Sequence, residues 1–555
     1  MSAALPPPTA PVSEIIVRFM ARLGIDRIFG IPGAHILPVY DALIDSGIDS
    51  VLTKHEQGAA FMAGGHARAT GKIGACIATA GPGATNLVTG IANAYADHLP
   101  VLAITGEAPT YLFGKGGLQE SSGEGGSIDQ VSLFKGITRY NRIIERADYL
   151  ENVLNQAAKA LMSGRPGPVL LSLPFNVQKE RAAADIPDRI GIAPRLSSSD
   201  YSNGPVHALA QKLSEARMPV IVAGFGCIAA GAEAEVAQLS SLLQIPVSTS
   251  LKAKGVIDES SPLALGSLGV TSNGQAYRFI VDHADLILFL GASFNERTSY
   301  LWDAALLAEK EIIQVDHDPA QIEKVFKADL AIEGDIRGVL RGVLQHLENA
   351  PVETRMRPEP NRPIAQDYAL FQSGFSLVES FFRHLQACFA ERAQVFDDNI
   401  IFAQNFLNLG QGARYFPNAG ISSLGHAIPA AICARMAVAQ PTFAILGDGG
   451  FQMCGMELMT AVNYRVPINV VMFNNGAMGL IRKNQQQQYG GRYIGCDFVN
   501  PDFSLLAQSF GIAHKRVENE ADLNDLFARY DLVNGINLIE IMLDRDLLPN
   551  YSSRR

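Results

Sequence analysis

Ile445-Leu446-Gly447-Asp448-Gly449-Gly450, followed after one helix length by Val470-Val471-Met472-Phe473-Asn474-Asn475, reads as strand, acidic turn, helix, strand and amide pair. Parallel strands joined by a crossover helix end at the same edge of their sheet. Asp448 and Asn475 are therefore expected at one pocket although they lie far apart in sequence. A carboxylate and an amide oxygen are hard ligands that suit Mg²⁺, with the Ala477 carbonyl as a third. These are too few to make a cage, so such an ion would also hold phosphate oxygens. Gly447, Gly449 and Gly450 let the backbone come close to a diphosphate. An ordinary acidic turn with an Asn cap is the plain alternative, and the double-Asn strand end at this spacing weighs against it.

Around this segment lies a chain of 555 residues, long enough for two to four domains. Hydrophobic residues make up 48% and charged residues 18%, which suits several buried cores rather than a disordered chain. The net charge of −10, with no lysine-rich arm, points away from nucleic acid and towards a soluble enzyme. The six cysteines form no C-x-x-C pair and read as buried free thiols in a reducing compartment. No stretch has the length and purity of a membrane span, and residues 2–11 lack the basic start of a signal peptide. A cytoplasmic protein is expected.

Alternating helical and strand patterns divide the chain into three α/β units with Rossmann-like or flavodoxin-like parallel sheets, at 1–185, 200–345 and 366–555. Expected strands in the first unit are 27–30, 51–53, 74–79 and 101–105, with small-residue helix 56–70 between two of them. In the second they are 219–223, 246–249, 286–290 and 311–315, and Gly224-Phe225-Gly226 is only a fragment of a dinucleotide fingerprint. Polar 197–204 and Pro-, Arg- and Glu-rich 350–363 read as linkers. In the third unit 395–397 is the first strand, 421–436 a turn that becomes a helix, 480–488 a helical segment closing over the site, and 543–555 a tail that could cover it.

Gly447-Asp448-Gly449 with Asn474-Asn475 resembles the cofactor motif of the thiamine diphosphate-dependent enzymes. His55-Glu56-Gln57-Gly58-Ala59-Ala60 resembles the region of their activating glutamate. Phe29-Gly30-Ile31-Pro32-Gly33, Tyr40-Asp41-Ala42-Leu43, Gly81-Pro82-Gly83-Ala84-Thr85-Asn86-Leu87 and Gly164-Arg165-Pro166-Gly167-Pro168-Val169 resemble the acetohydroxyacid (acetolactate) synthase group. The resemblance runs over nearly the whole chain. It implies a pyrimidine-binding domain, a central domain and a diphosphate-binding domain, with thiamine diphosphate and Mg²⁺ as cofactors. It implies Glu56 as the carboxylate beside the aminopyrimidine, where a helix-start carboxylate favoured by the dipole is the plain alternative. Pro82, Asn86, Ser423, Leu424, Gly447, Gly449, Gly450, Met478 and Ile481 are implied as cofactor-contacting. Leu424 matches a bulky apolar residue that bends the cofactor, or is a core leucine of its helix start. Gln119 and His35 are implied near the substrate, with structural hydrogen bonding as the competitor. Glu56 and Asp448 act across a dimer interface in the family, so a homodimer or homotetramer is implied, with a 2-oxo acid and an acceptor as small-molecule partners.

Several positions depart from the synthases. Leu118-Gln119-Glu120 stands where Phe-Gln-Glu is common, and Ser121-Ser122-Gly123-Glu124-Gly125-Gly126 reads as an inserted flexible loop. Ile128-Asp129-Gln130-Val131 resembles benzaldehyde lyase. Arg139 replaces a lysine, Asp398-Asn399-Ile400-Ile401-Phe402 lacks a Gly-Gln-His-Gln segment, and Asn484 takes the place of a tryptophan that favours 2-ketobutyrate as acceptor. Ser293 stands for an Arg and Val270 for a Met in segments that touch FAD in the synthases, so the flavin stays an open question. Arg482 and Lys483 would attract an anionic group or face water, and Glu457 reads as structural. The expected function is decarboxylation of a 2-oxo acid, pyruvate foremost, with carboligation to an acceptor. An acyloin lyase, a simple decarboxylase or an acyltransferase of the same family is the alternative.

Overall fold

The computed structural model describes residues 8–162, 164–191, 203–348, 371 and 374–550. The expected linker 350–363, and all of 197–204 but its last two residues, lie outside them. β1 (Thr9–Pro11) opens the chain. β2 (Arg27–Gly30), β3 (Asp49–Leu52), β4 (Gly74–Ala78), β5 (Val101–Glu107), β6 (Tyr140–Ile143) and β7 (Val169–Pro174) form a six-stranded sheet in the order β3-β2-β4-β5-β7-β6. β8 (Arg181–Ala183) then pairs antiparallel with β1. β9 (Pro219–Ala223), β10 (Val247–Thr249), β11 (Ala264–Ser267), β12 (Leu286–Leu290), β13 (Glu311–Asp316) and β14 (Leu330–Glu333) form a second sheet, ordered β11-β10-β9-β12-β13-β14. β15 (Gln394–Asp397), β16 (Arg414–Pro417), β17 (Thr442–Gly447), β18 (Ile468–Asn474), β19 (Ala513–Val517) and β20 (Ile536–Met542) form a third, ordered β16-β15-β17-β18-β20-β19.

Strand pairing is parallel in all three sheets, so the expected α/β architecture of three parallel sheets is borne out. Such strands are covered on both faces, which is why β12, β17 and β18 read as nearly continuous apolar runs and are buried along their length. Each sheet reverses its strand order near its middle, between β2 and β4, β9 and β12, and β15 and β17. The crevice outside the carboxyl ends at such a reversal is where open α/β sheets take ligands. Strands absent from the sequence reading are mostly edges: β6, β11, β14, β16 and β19. An edge needs polar side chains rather than an apolar run, as in Ala513-His514-Lys515-Arg516-Val517. No helix among the described residues is long and apolar enough to cross a membrane.

The first and third units join through two helices, Glu56–Thr70 and Ala427–Ala437. Ala59, Ala60 and Ala63 on one helix, with Ala427, Ala430, Ala431 and Ala434 on the other, share one core. Small residues bring the backbones together: a Cβ on Gly65 would lie 2.7 Å from Ala430 Cα. Beside this contact Arg68 and Lys252 both pair with Asp97, which ties in the central unit. Burial opposes the charge on Asp97, but the Arg68 guanidinium and the Lys252 ammonium outweigh it and hold its carboxyl well below the usual range. Asn93 Nδ2 donates to Asn418 Oδ1 at 2.7 Å, a further link to the third unit.

Gly65→Val should therefore cost about 1–3 kcal/mol or more by forcing two close-packed backbones apart. Urea unfolding followed by far-UV circular dichroism reads this; an unchanged midpoint would mean the helices part without cost.

Candidate functional site

The third sheet places Asp448 where the sequence reading expects it, at the end of β17 and the first turn of helix Asp448–Cys454. The side chain is 1% exposed. Asp448 Oδ2 accepts from Gly476 N at 2.7 Å and from Asn500 Nδ2 at 2.6 Å. Oδ1 takes only the 3.1 Å contact from the neighbouring Gly449 N. Burial raises the Asp448 carboxyl and these hydrogen bonds oppose the rise.

Asn474 and Asn475 sit at the adjacent strand end. Asn474 is a bracket: its Nδ2 donates to Glu540 Oε1 at 2.6 Å, and its Oδ1 accepts from Asn500 at 2.8 Å. Asn475 Oδ1 accepts from Ala477 N at 3.1 Å and is less buried than Asn474. Gly476 makes the turn between them with φ +62°, and Ala477 bridges to Asp497. Asp448, Asn475 and the Ala477 carbonyl thus lie at one sheet edge, a set of hard oxygens able to hold a divalent cation. Among the described residues no group of three or more His, Cys, Asp and Glu gathers as a metal site, so a cation here would meet one carboxylate and amide oxygens. Asn500 escaped the sequence reading because it sits in an irregular stretch with no periodic pattern.

Ser423 and Leu424 belong to a turn on the other side of the reversal, half-buried, with Ser422 at φ +57° and Gly425 at φ +84°. Asp398, at the end of β15, fixes this turn by accepting from Gly425 N at 2.6 Å and Ala427 N at 2.9 Å. Burial pushes Asp398 up to about 8 despite these donors. Its neighbour Asp397 accepts from the Tyr415 hydroxyl and is pushed up to about 7 by burial. Gly450 lies beside the Asp398 carboxylate, where a Cβ would sit 3.5 Å from Asp398 Oδ2.

In the first unit Glu56 opens its helix behind His55, whose ring nitrogen caps it by accepting from Gln57 N at 3.1 Å. Asn86 Nδ2 donates to Glu56 Oε2 at 2.9 Å. Asn86 lies on the short helix Pro82–Asn86, and Gly83 of that helix is close enough that a Cβ would sit 3.6 Å from Glu56 Oε1. His35 Nδ1 lies 3.2 Å from Gln119 Oε1, and Gln119 has φ +57°. The segment 121–126 is not the loose loop expected of an insertion. Ser121 has no solvent exposure, Ser122 bridges to Asp129, and Gly123 N donates to Ile128 O at 3.0 Å.

Two groups of expected residues therefore form, one around Asp448 and one around Glu56. Glu457 connects them. Its Oε1 accepts from Lys54 N at 2.9 Å and His55 N at 3.0 Å, and its Oε2 from Thr460 Oγ1 at 2.9 Å. Burial raises its carboxyl.

Helix Gly479–Gln488 borders the Asp448 edge. Met478 packs on Gly449, where a Cβ would meet its Sδ at 2.6 Å, whereas Ile481 is 48% exposed. Arg482 neither faces water nor is free for an anion. It is buried, pairs with Asp497 at 2.9 Å and Asp546 at 2.8 Å, and lies 3.9 Å from the Tyr493 ring centre. Lys483 is fully buried and is pulled down to about 8 by that burial. The tail hydrogen-bonds along this edge: Leu543 N donates to Asn474 O and Arg545 to Gly476 O. In the central unit Gly224 and Gly226 allow close contact with Gly291, where a Gly224 Cβ would lie 2.0 Å from Gly291 O. Arg297 reaches Asn399 Oδ1 at 3.5 Å. Five of the six cysteines are buried free thiols, but Cys388 is exposed.

His426 follows the Leu424 turn and is fully buried between Phe61 and Phe396, with neither ring nitrogen hydrogen-bonded. Burial, then Arg68, pulls it down to about 3. The folded chain thus binds fewer protons here than the unfolded chain, so its contribution to stability is present above pH 6.5 and lost as pH falls towards 3. Between pH 7 and pH 5 the loss should be about 2 kcal/mol. His426→Phe should abolish that part of the acid sensitivity, read as the difference between the two proteins' urea midpoints at each pH; parallel pH profiles would contradict it.

The thiamine pyrophosphate enzyme models match this chain in three blocks: the N-terminal TPP-binding domain over residues 11–132, the central domain over 206–343 and the C-terminal TPP-binding domain over 399–541. The chain is 34% identical to a probable acetolactate synthase large subunit of Methanocaldococcus jannaschii, over 96% of this chain and 92% of that one. It is 33% identical to acetolactate synthase of Arthrospira platensis, over 96% and 94%. It is 30% identical to the acetolactate synthase isozyme 2 large subunit of Escherichia coli, over 96% and 95%.

Proposed function

This chain belongs to the thiamine pyrophosphate enzymes, and we propose that it decarboxylates pyruvate and joins the two-carbon unit to a second carbonyl compound, as an acetolactate synthase does. It is a thiamine diphosphate-dependent enzyme that makes carbon–carbon bonds from a 2-oxo acid. The single observation that carries the residue assignment is the convergence of a buried Asp448, the Asn475 amide and the Ala477 carbonyl at one strand edge, with the Glu56 turn braced to the same unit by Glu457.

In this reading 1–185 binds the pyrimidine, 200–345 is the central domain and 366–555 binds the diphosphate. Asp448 Oδ1, Asn475 Oδ1 and the Ala477 carbonyl would hold Mg²⁺, whose positive charge would offset that of a diphosphate. The donor set fits, because Oδ2 of Asp448 is occupied by Gly476 and Asn500 while Oδ1 takes only the longer contact from Gly449 N. Asn500 and Asn474 keep that carboxylate aimed. Gly447, Gly449 and Gly450 give the backbone access, and Ser423, Leu424, Met478, Ile481 and Pro82 line the cofactor, with Leu424 as its apolar support. Thiamine diphosphate, when bound, supplies the electron sink for the pair left by decarboxylation. Glu56, whose Oε2 is held by Asn86, exchanges a proton with the aminopyrimidine through Oε1. His35 and Gln119 face the substrate as a hydrogen-bonded pair. That polar pair, with Asn484 where an aromatic residue would narrow the pocket, favours a second reading in which the acceptor is an aldehyde and the enzyme runs as an acyloin lyase or ligase.

The proposed active unit is a cytoplasmic homodimer whose sites each combine Glu56 of one chain with Asp448 of the other. Exposed apolar side chains beside both groups support it: Leu118, Ile421, Met453 and Met456.

With pyruvate, thiamine diphosphate and Mg²⁺, product analysis should find acetolactate or, on adding an aldehyde, a mixed acyloin; neither forming at saturating cofactor would refute the carboligase. Glu56→Gln should keep the cofactor and lose about 10²- to 10⁴-fold in turnover, whereas Asp448→Ala should lose Mg²⁺ and cofactor retention. Mixing the two inactive proteins should restore about a quarter of the sites by random pairing. No recovery after verified chain exchange would place each site within one chain.

A further inference from the structure

β5 ends in Thr105, Gly106 and Glu107, all buried. Gly106 carries the His35 turn: a Cβ there would lie 2.6 Å from His35 O and 2.9 Å from His35 Cβ. Gln178 Nε2 holds the same carbonyl from the far side at 2.6 Å, and also donates to Leu173 O at 2.7 Å. His35 is thereby seated on the strand tip through its own carbonyl and Cβ.

The next residue holds the partner of His35. Glu107 has no solvent exposure and no cation among its contacts. Its Oε1 accepts from Ala108 N at 2.8 Å and Ser121 N at 2.9 Å, and its Oε2 lies 2.6 Å from Ser121 Oγ. Ser121 Oγ also lies 3.1 Å from Gln130 Oε1, whose amide nitrogen reaches Thr105 Oγ1 at 2.9 Å. Both atoms of Ser121 that can bond a carboxyl are therefore committed to Glu107. Glu120 completes the turn by accepting from Gly114 N and Gly117 N.

Gln119 stands two residues before this latch, in a left-handed conformation, with a Gly81 Cβ position only 3.0 Å from its own Cβ. A non-glycine residue holds that conformation only where its surroundings over-determine it. The latch on Ser121 and the Glu120 turn supply that on one side, and Gly81 on the other. A carboxyl buried without a cation is costly, and burial raises Glu107 accordingly. An apolar residue would avoid that cost but leave the Ser121 amide unsatisfied. The retained cost marks a residue that fixes geometry.

We propose that Glu107 is a positioning residue for carboligation: it latches Ser121 and thereby sets the Gln119 amide against His35, which Gly106 of the same strand tip seats. The inference rests on the reading that the His35–Gln119 pair faces the substrate. A fixed polar pair at the acceptor side would govern whether the two-carbon unit is passed on or released as aldehyde. A shift of about an ångström in such a group costs up to roughly a hundredfold in rate.

The test is the partition of pyruvate between acyloin and free acetaldehyde, in the holoenzyme with an aldehyde acceptor. Gln119→Ala and Ser121→Ala should each lower the acyloin fraction relative to acetaldehyde by roughly tenfold or more, and the double variant should fall no further than Gln119→Ala alone. Glu107→Leu, close in size but without oxygens, should repeat the loss, while Glu107→Gln, which can still accept the Ser121 amide and pair with its hydroxyl, should restore the wild-type partition. If Gln119→Ala shifts the partition but folded Ser121→Ala and Glu107→Leu proteins do not, the latch is overturned and the site reading stands. If Gln119→Ala leaves the partition unchanged, the substrate-facing role of the pair is overturned, and the positioning role falls with it.

Discussion

One buried carboxylate ties the first unit of the chain to the third. Glu457 accepts the amide protons of Lys54 and His55, the two residues before Glu56, and its second oxygen is held by Thr460. Gly58 is required beneath it, since a Cβ there would lie 2.3 Å from Glu457 Oε1. A substitution that removed these acceptors would strand two backbone donors, each at a cost of about 1–3 kcal/mol. The helix opened by Glu56 then packs along Ala427–Ala437, so the Glu56 turn and the Leu424 turn are set relative to each other by one helix pair.

Buried polar groups gather at the carboxyl ends of β15, β17 and β18. Asp397 and Asp398 end β15, Asp448 follows β17, and Asn474 ends β18, all buried. Each is satisfied by a neighbour that also shapes a turn: Gly425 and Ala427 for Asp398, Gly476 and Asn500 for Asp448, Glu540 and Asn500 for Asn474. Preorganised carboxylates and amides of this kind need little rearrangement when a charged ligand arrives. His426 is the exception, a buried ring with neither nitrogen hydrogen-bonded, packed against Phe61 and Phe396 with Asp398 Oδ1 3.9 Å from its Nδ1.

Much of this was legible in the sequence, for identifiable reasons. Gly447-Asp448-Gly449 and Asn474-Asn475 follow apolar runs that can only be buried parallel strands, so topology alone brings them to one edge. Helix Glu56–Thr70 was readable to its ends because His55 caps it and Gly71, at φ +70°, stops it. Central strands β7 and β20 carried the same apolar signal and were passed over, while edge strands such as β19 carry little. Tertiary partners left no local trace. Nothing in residues around Asn500, Glu107 or Glu457 says that they bind Asp448, Ser121 or the His55 amide, because those contacts close over 52, 14 and 402 positions. The Gly-rich stretch after Gln119 misled because its anchors are the buried Glu107 carboxyl and the Ser122–Asp129 bridge, neither of which shows in its composition.

The most direct measurement is a crystal structure of the protein with thiamine diphosphate and Mg²⁺ added. It is predicted to hold the aminopyrimidine against Glu56 and a cation on Asp448, Asn475 and the Ala477 carbonyl. A bound coenzyme with neither acid beside it would contradict the assignment.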